Sequence, residues 1–119
     1  MGYTTDFVGE IKVTPTLGVI HHKWLCDFSD ARHSGDGYPG IWCQWRPNDN
    51  GTAIVWDGGE KFYRYTEWLK YLIDNMLSIW HYQLNGEIEW QGEDGGDFGK
   101  IVVASNVVST LPGRKVYGP

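Results

Sequence analysis

The chain has 119 residues, 41% of them apolar and 15% aromatic, with seven Trp, seven Tyr and a formal charge of −5. That length makes one domain, able to bury roughly 65% of its unfolded surface without disulfide or metal staples. The acidic balance argues against a nucleic-acid partner, because backbone binding needs clustered Lys and Arg, and no run approaches the roughly 18 apolar residues of a membrane span.

Two cysteines, Cys26 and Cys43, are too few for a disulfide-held secreted domain, so reduced thiols in a cytoplasm are expected. No apolar leader precedes a cleavage site, and neither membrane nor nucleic acid is expected as a partner. An acidic surface favours basic protein partners or cations.

In chain order, GEIKVTP (9–15) alternates Ile11 and Val13 with Glu10, Lys12 and Thr14, which reads as a half-buried strand stopped by Pro15. Leu17, Ile20, Trp24, Leu25 and Phe28 fall at helical spacing and predict a helix over 19–32. HSGDGYPG (33–40) breaks it. IWCQWRP (41–47) alternates again, NDNG (48–51) marks a tight turn, and TAIVW (52–56) completes a hairpin. After DGGE (57–60), Tyr65, Trp68, Leu69, Leu72, Ile73, Met76, Leu77 and Trp80 form one stripe and predict a helix over 63–80. A helix with so apolar a face needs a sheet to cover it. NGEIEWQGE (85–93) supplies a strand, DGGDFG (94–99) its turn and KIVVAS (100–105) the return, with NVVST (106–110) expected to pair through a turn at Ser105 and Asn106. Residues 112–119 read as a loose tail. The order β-α-β-β-α-β with one or two added strands predicts an α+β fold: an antiparallel sheet with two helices on one face, in the split βαβ or ferredoxin-like order. No internal repeat stands out.

Four constellations bear on function. Glu87, Glu89, Glu93, Asp94 and Asp97 crowd one hairpin without Lys or Arg between 85 and 99. Carboxylates about 6 Å apart repel by roughly 0.7 kcal/mol per pair in water, which a cation would relieve. The spacing does not match an EF-hand loop, and a solvated acidic tip needs no metal. Asp57 and Glu60 could form a carboxylate pair, and the glycines between them could bare N–H groups for a phosphate. The acids would repel that phosphate, so a turn leading into a helix is the simpler reading. Among His21, His22, Cys26, His33 and Cys43, only His22 and Cys26 share a helix face. Zinc would need a second pair, and a Cys–His nucleophile an orienting partner, so neither a metal nor any other cofactor is expected. Finally, Trp42, Trp45, Trp56, Trp68, Trp80 and Trp90 cannot all fit a core this small, and Trp42 and Trp45 lie three apart in a predicted strand. One of that pair should face outward, as a protein hot spot or the wall of a planar-ligand pocket. The candidate binding residues are Trp42, Trp56, Asp57, Glu60, Glu89, Glu93, Asp94 and Asp97.

The stretches MGYTTDFVGEIKVTPTL (1–17), WCQWRP (42–47), WDGGEKFYRYTEWLKYLI (56–73) and LNGEIEWQGEDGGDFGKIVV (84–103) carry a resemblance to a family of small bacteriophage and prophage proteins. HSGDGYPG is shorter here than the corresponding family segment. The family has no settled activity, so the resemblance carries over no functional residue. It implies a small phage protein acting inside a bacterial cell. The expectation is a non-enzymatic protein that engages a host factor, most specifically an inhibitor of a defence system. Capture of a small ligand, such as a nucleotide signal between aromatic rings, is the alternative. A hydrolase using Asp57, Glu60 or Glu93 is a third class.

Overall fold

Alternation builds the two longest strands of the structure, a computed structural model that describes residues 2–113. In β1 (Thr5–Thr14), Phe7, Ile11 and Val13 turn inward while Asp6, Val8, Glu10 and Lys12 face out. β4 (Gln83–Gly92) does the same with Leu84, Ile88 and Trp90 inside and Glu87, Glu89 and Gln91 outside. β2 (Trp45–Pro47) and β3 (Ala53–Trp56) form a short hairpin, closed by Asn48, whose side chain accepts from the N–H groups of Thr52 and Ala53. β5 (Phe98–Ala104) and β6 (Val107–Pro112) form another, turning at Ser105 and Asn106 with φ of 46° and 69°. Pro112 thus closes a strand, and the rest of the expected tail, 114–119, lies outside the described residues.

The helices are α1 (Val19–Asp30) and α2 (Tyr65–Leu72). The predicted stripe over 63–80 is buried as expected, but α2 does not run through it. The chain widens into a π-helical turn at Ile73–Leu77, where the Ser78 N–H donates to the Ile73 carbonyl at 2.8 Å. Ile73, Met76 and Leu77 stay buried in that wider turn. α1 is a surface helix: Leu25 is buried, yet Ile20, expected inside, is 80% exposed. Among the described residues no helix is long and apolar enough to cross a membrane.

Among the described residues the fold is α+β: an open six-stranded antiparallel sheet, ordered β2-β3-β1-β4-β5-β6, with two helices. The expected ferredoxin-like arrangement, with both helices laid across one face of a split βαβ sheet, does not form. The sheet runs on past β4 and curls, so that α2 contacts both edge strands, β2 and β6, while α1 sits beside β2. Two glycines explain the curl. Gly9 and Gly86 stand in the register of the inward-facing residues on the neighbouring strands β1 and β4, with φ of 119° and 155°. A Cβ at Gly9 would stand 2.6 Å from the Glu87 carbonyl oxygen, and one at Gly86 2.6 Å from that of Glu10. Side-chain-free kinks of this kind let a sheet fold toward what it covers. The two kinks come from one repeated tripeptide: Gly9, Glu10 and Ile11 pair with Ile88, Glu87 and Gly86.

Candidate functional site

The hairpin tip between β4 and β5 is acidic in composition, but its carboxylates are engaged by its own chain. Asp97 accepts the Trp90 indole N–H at 2.9 Å on one oxygen and the Tyr3 hydroxyl at 2.8 Å on the other. Tyr3 Oη in turn accepts the Asp94 N–H at 3.0 Å. Glu93 accepts the Thr4 N–H at 2.7 Å, and Asp94 closes a local turn by accepting the Gly96 N–H at 3.0 Å. The Gln91 amide donates to the carbonyls of Gly92, Asp94 and Asp97. These contacts make a clasp that ties the N-terminal segment to the tip. They also act on the Tyr3 phenol: the Asp94 N–H pulls its pKa down, while desolvation and the Asp97 carboxylate outweigh that and raise it. Among the described residues, no three His, Cys, Asp or Glu side chains gather closely enough to hold an ion.

The other glycine-rich corner is held differently. Asp57 accepts the Gly59 N–H at 2.7 Å, an Asx-type turn that reverses the chain after β3. Gln44, only 9% exposed, braces the corner with both ends of its amide: Nε2 donates to the Glu60 carbonyl at 2.8 Å and Oε1 accepts the Trp56 indole N–H at 3.0 Å. Trp56 is therefore a half-buried structural residue packed against Phe7. The Glu60 side chain remains exposed. Both corners lie at the same end of the sheet, and the N-terminal segment spans them. The Tyr3 N–H donates to Tyr63 Oη at 3.2 Å on one side, and Tyr3 Oη meets Asp97 on the other. The strands bearing Trp56 and Trp90 do not touch, because β1 runs between them.

What the Gln44 brace leaves open is a groove of about 450 Å³ between residues 39–44 and 60–64. Ile41, Trp42 and Tyr63 line it at 47%, 50% and 54% exposure, so three large apolar side chains face solvent together. Lys61, Arg64 and Glu60 complete its lip, two cations against one carboxylate. Lys61 and Arg64 both hold left-handed backbone, with φ of 58° and 56°. That conformation costs a non-glycine residue roughly 1–2 kcal/mol, and such outliers gather at functional sites. It persists here because Phe62, between them, is buried at 2% exposure, and because the Arg64 carbonyl accepts the Trp68 N–H at 2.9 Å to start α2. Behind the groove, the Trp68 indole N–H is buried without a partner among the described residues. A Cβ at the groove residue Gly40 would stand 3.2 Å from it.

Of the eight residues expected at a site, Trp42 and Glu60 lie in this groove. Trp56, Asp57, Glu93, Asp94 and Asp97 make the intramolecular bonds described above. Glu89 is apart from both, on the outer face of the sheet, where it lines a shallow depression of about 560 Å³ with Asp6, Val8 and Lys100. The expected contrast of Trp42 and Trp45 is present, at 50% and 1% exposure, although residue 42 precedes β2 instead of lying in it. Ile41, Lys61, Tyr63 and Arg64 escaped the sequence reading. Their signal is the run KFYR (61–64), two cations around two rings, whose last two residues fall at the start of the expected helix over 63–80.

In comparisons with protein-family models, curated proteins and solved structures, nothing matches this chain.

Proposed function

We propose that this chain is a non-enzymatic binding protein that seats a partner protein in the Trp42 groove. The observation that carries the reading is the joint exposure of Ile41, Trp42 and Tyr63 inside a charged lip. Trp, Tyr and Arg are the side chains that dominate protein–protein binding energy, and an apolar centre with a polar rim is the anatomy of such sites. Two cations against one carboxylate favour a partner that offers an apolar side chain flanked by acidic groups. In the setting implied by the resemblance to bacteriophage proteins, that partner is a host factor in the bacterial cytoplasm, and its capture blocks a defence system. Segments 42–47 and 56–73, which carry part of that resemblance, converge on the groove.

The test is a comparative capture from bacterial lysate with wild type, Trp42→Ala, Arg64→Glu and Glu89→Ala. One protein retained by wild type and Glu89→Ala but lost from the other two supports the proposal. An identical set on wild type and Trp42→Ala contradicts it. A second reading, capture of a small planar anion such as a nucleotide, is favoured by Lys61 and Arg64 beside Trp42 and Tyr63, and by the unpartnered Trp68 N–H behind Gly40. Mass spectrometry of small molecules released from the purified protein separates the two: a stoichiometric anion, absent from Trp42→Ala, selects the second.

A further inference from the structure

We infer that Cys26 is a reactive thiol, served by His22 as its base, and that it exchanges with low-molecular-weight disulfides. The two side chains lie four residues apart on α1, with Sγ 3.8 Å from His22 Nδ1. Helical spacing alone would leave the tautomer open. The structure closes it, because His22 Nε2 sits 2.8 Å from the Asn48 carbonyl oxygen, which can only accept. Nε2 must therefore carry the proton, and Nδ1 presents its lone pair to the thiol. A nucleophile, a base and a third group orienting the base is the arrangement that activates cysteine, and here the third group comes from the turn between β2 and β3.

The charged surroundings are consistent with this role. Arg46, from β2, has its pKa lowered by desolvation, but Cys26 and then Asp30 more than reverse this and raise it. Lys23, on α1, is raised chiefly by Asp27, with Cys26 adding a smaller contribution. Both cations are paired with carboxylates, Lys23 to Asp27 at 2.7 Å and Arg46 to Asp30 at 3.3 Å. His22 is thus the group positioned to take the proton. Cys26 is partly exposed, so a small reagent can reach it. Cys43 provides the contrast within the same chain: it is fully buried, its Sγ faces the Trp45 carbonyl, and burial pushes its pKa up to about 12.

In the reaction, the Cys26 thiol passes its proton to His22 Nδ1 as Sγ attacks one sulfur of the disulfide. A mixed disulfide forms, the original S–S bond breaks, and the departing thiolate takes the proton back from His22. The exchange needs no further oxidant or reductant. It is independent of the Trp42 groove, which lies elsewhere on the surface.

The test is the rate of mixed-disulfide formation with oxidised glutathione, followed by intact mass and peptide mapping. Native Cys26 is expected to react about tenfold faster near pH 7 than the same cysteine in the urea-unfolded chain, while Cys43 stays unmodified until the chain unfolds. His22→Gln keeps an amide nitrogen where Nε2 bonds Asn48 but presents no base to the thiol. It should lose most of that advantage. A native rate at or below the unfolded rate, or His22→Gln reacting as fast as wild type in the folded state, overturns the inference. The native-against-unfolded comparison needs no variant, so it stands even if His22→Gln does not fold.

Discussion

The hairpin tip over 92–97 and the groove beside 60–64 are made from the same parts: tryptophan, tyrosine, glycine and carboxylates. At the tip, each carboxylate meets a donor from its own chain, and Trp90 is 8% exposed with its N–H bonded to Asp97. At the groove, Gln44 satisfies only the backbone and Trp56, leaving Ile41, Trp42 and Tyr63 about half exposed beside two cations. Composition alone does not distinguish a clasp from an open groove. What distinguishes them is how far another part of the chain arrives to use the polar groups. At the tip, Tyr3 and Thr4 engage Glu93, Asp94 and Asp97, Tyr3 reaching across 94 residues of sequence. At the groove the same segment meets only the edge, where the Tyr3 N–H donates to the Tyr63 hydroxyl.

The comparison can be broken most sharply at Asp97. Replacing it with Ala strands the Trp90 N–H and the Tyr3 hydroxyl together, so urea unfolding should show a loss of about 2–3 kcal/mol while partner capture is kept. A loss within about 0.5 kcal/mol would return the tip to the status of a solvated acidic turn. Trp42→Ala should behave in the opposite way. Capture should weaken at least about tenfold, near 1.4 kcal/mol, with stability unchanged to about 0.5 kcal/mol. Destabilisation without loss of capture would make Trp42 a packing residue.

Smaller effects sharpen the account of the clasp. Tyr3→Phe removes one donor and one acceptor from an exposed site and should destabilise in the same unfolding measurement, by less than Asp97→Ala does. The Tyr3 contribution should also depend on pH in one direction. Its pKa is raised in the folded state, so the protonated phenol favours folding. The gap between wild type and Tyr3→Phe should be fully present below the ordinary phenol value of about 10 and close as pH rises through the higher folded value. A gap that widens in alkali would contradict the Tyr3–Asp97 contact.

What could be read from the sequence was local. The alternation of β1 and β4, the stripe from Tyr65 to Trp80 and the turn at Ser105 and Asn106 each depend on neighbours within a few residues, and each stands where it was expected. The sheet's curl depends on Gly9 and Gly86 meeting across two strands, so alternation within either strand could not reveal it. The clasp and the groove are long-range too, joining 3–4 to 93–97 and 39–44 to 60–64. The acidic residues drew attention because they were dense, yet density also serves a turn that satisfies itself. Trp42 was legible because the number of large rings exceeded what one core holds, an argument of volume that needs no contact map.

The account stands or falls on which indoles are free. Hydrogen exchange of the indole N–H protons, resolved by NMR in the unliganded protein, reads this directly. Trp42 should exchange near the solvent-exposed rate, while Trp45, Trp56 and Trp90, bonded to the Tyr65 carbonyl, Gln44 and Asp97, should be protected. Protection at Trp42 together with rapid exchange at Trp56 and Trp90 would contradict it.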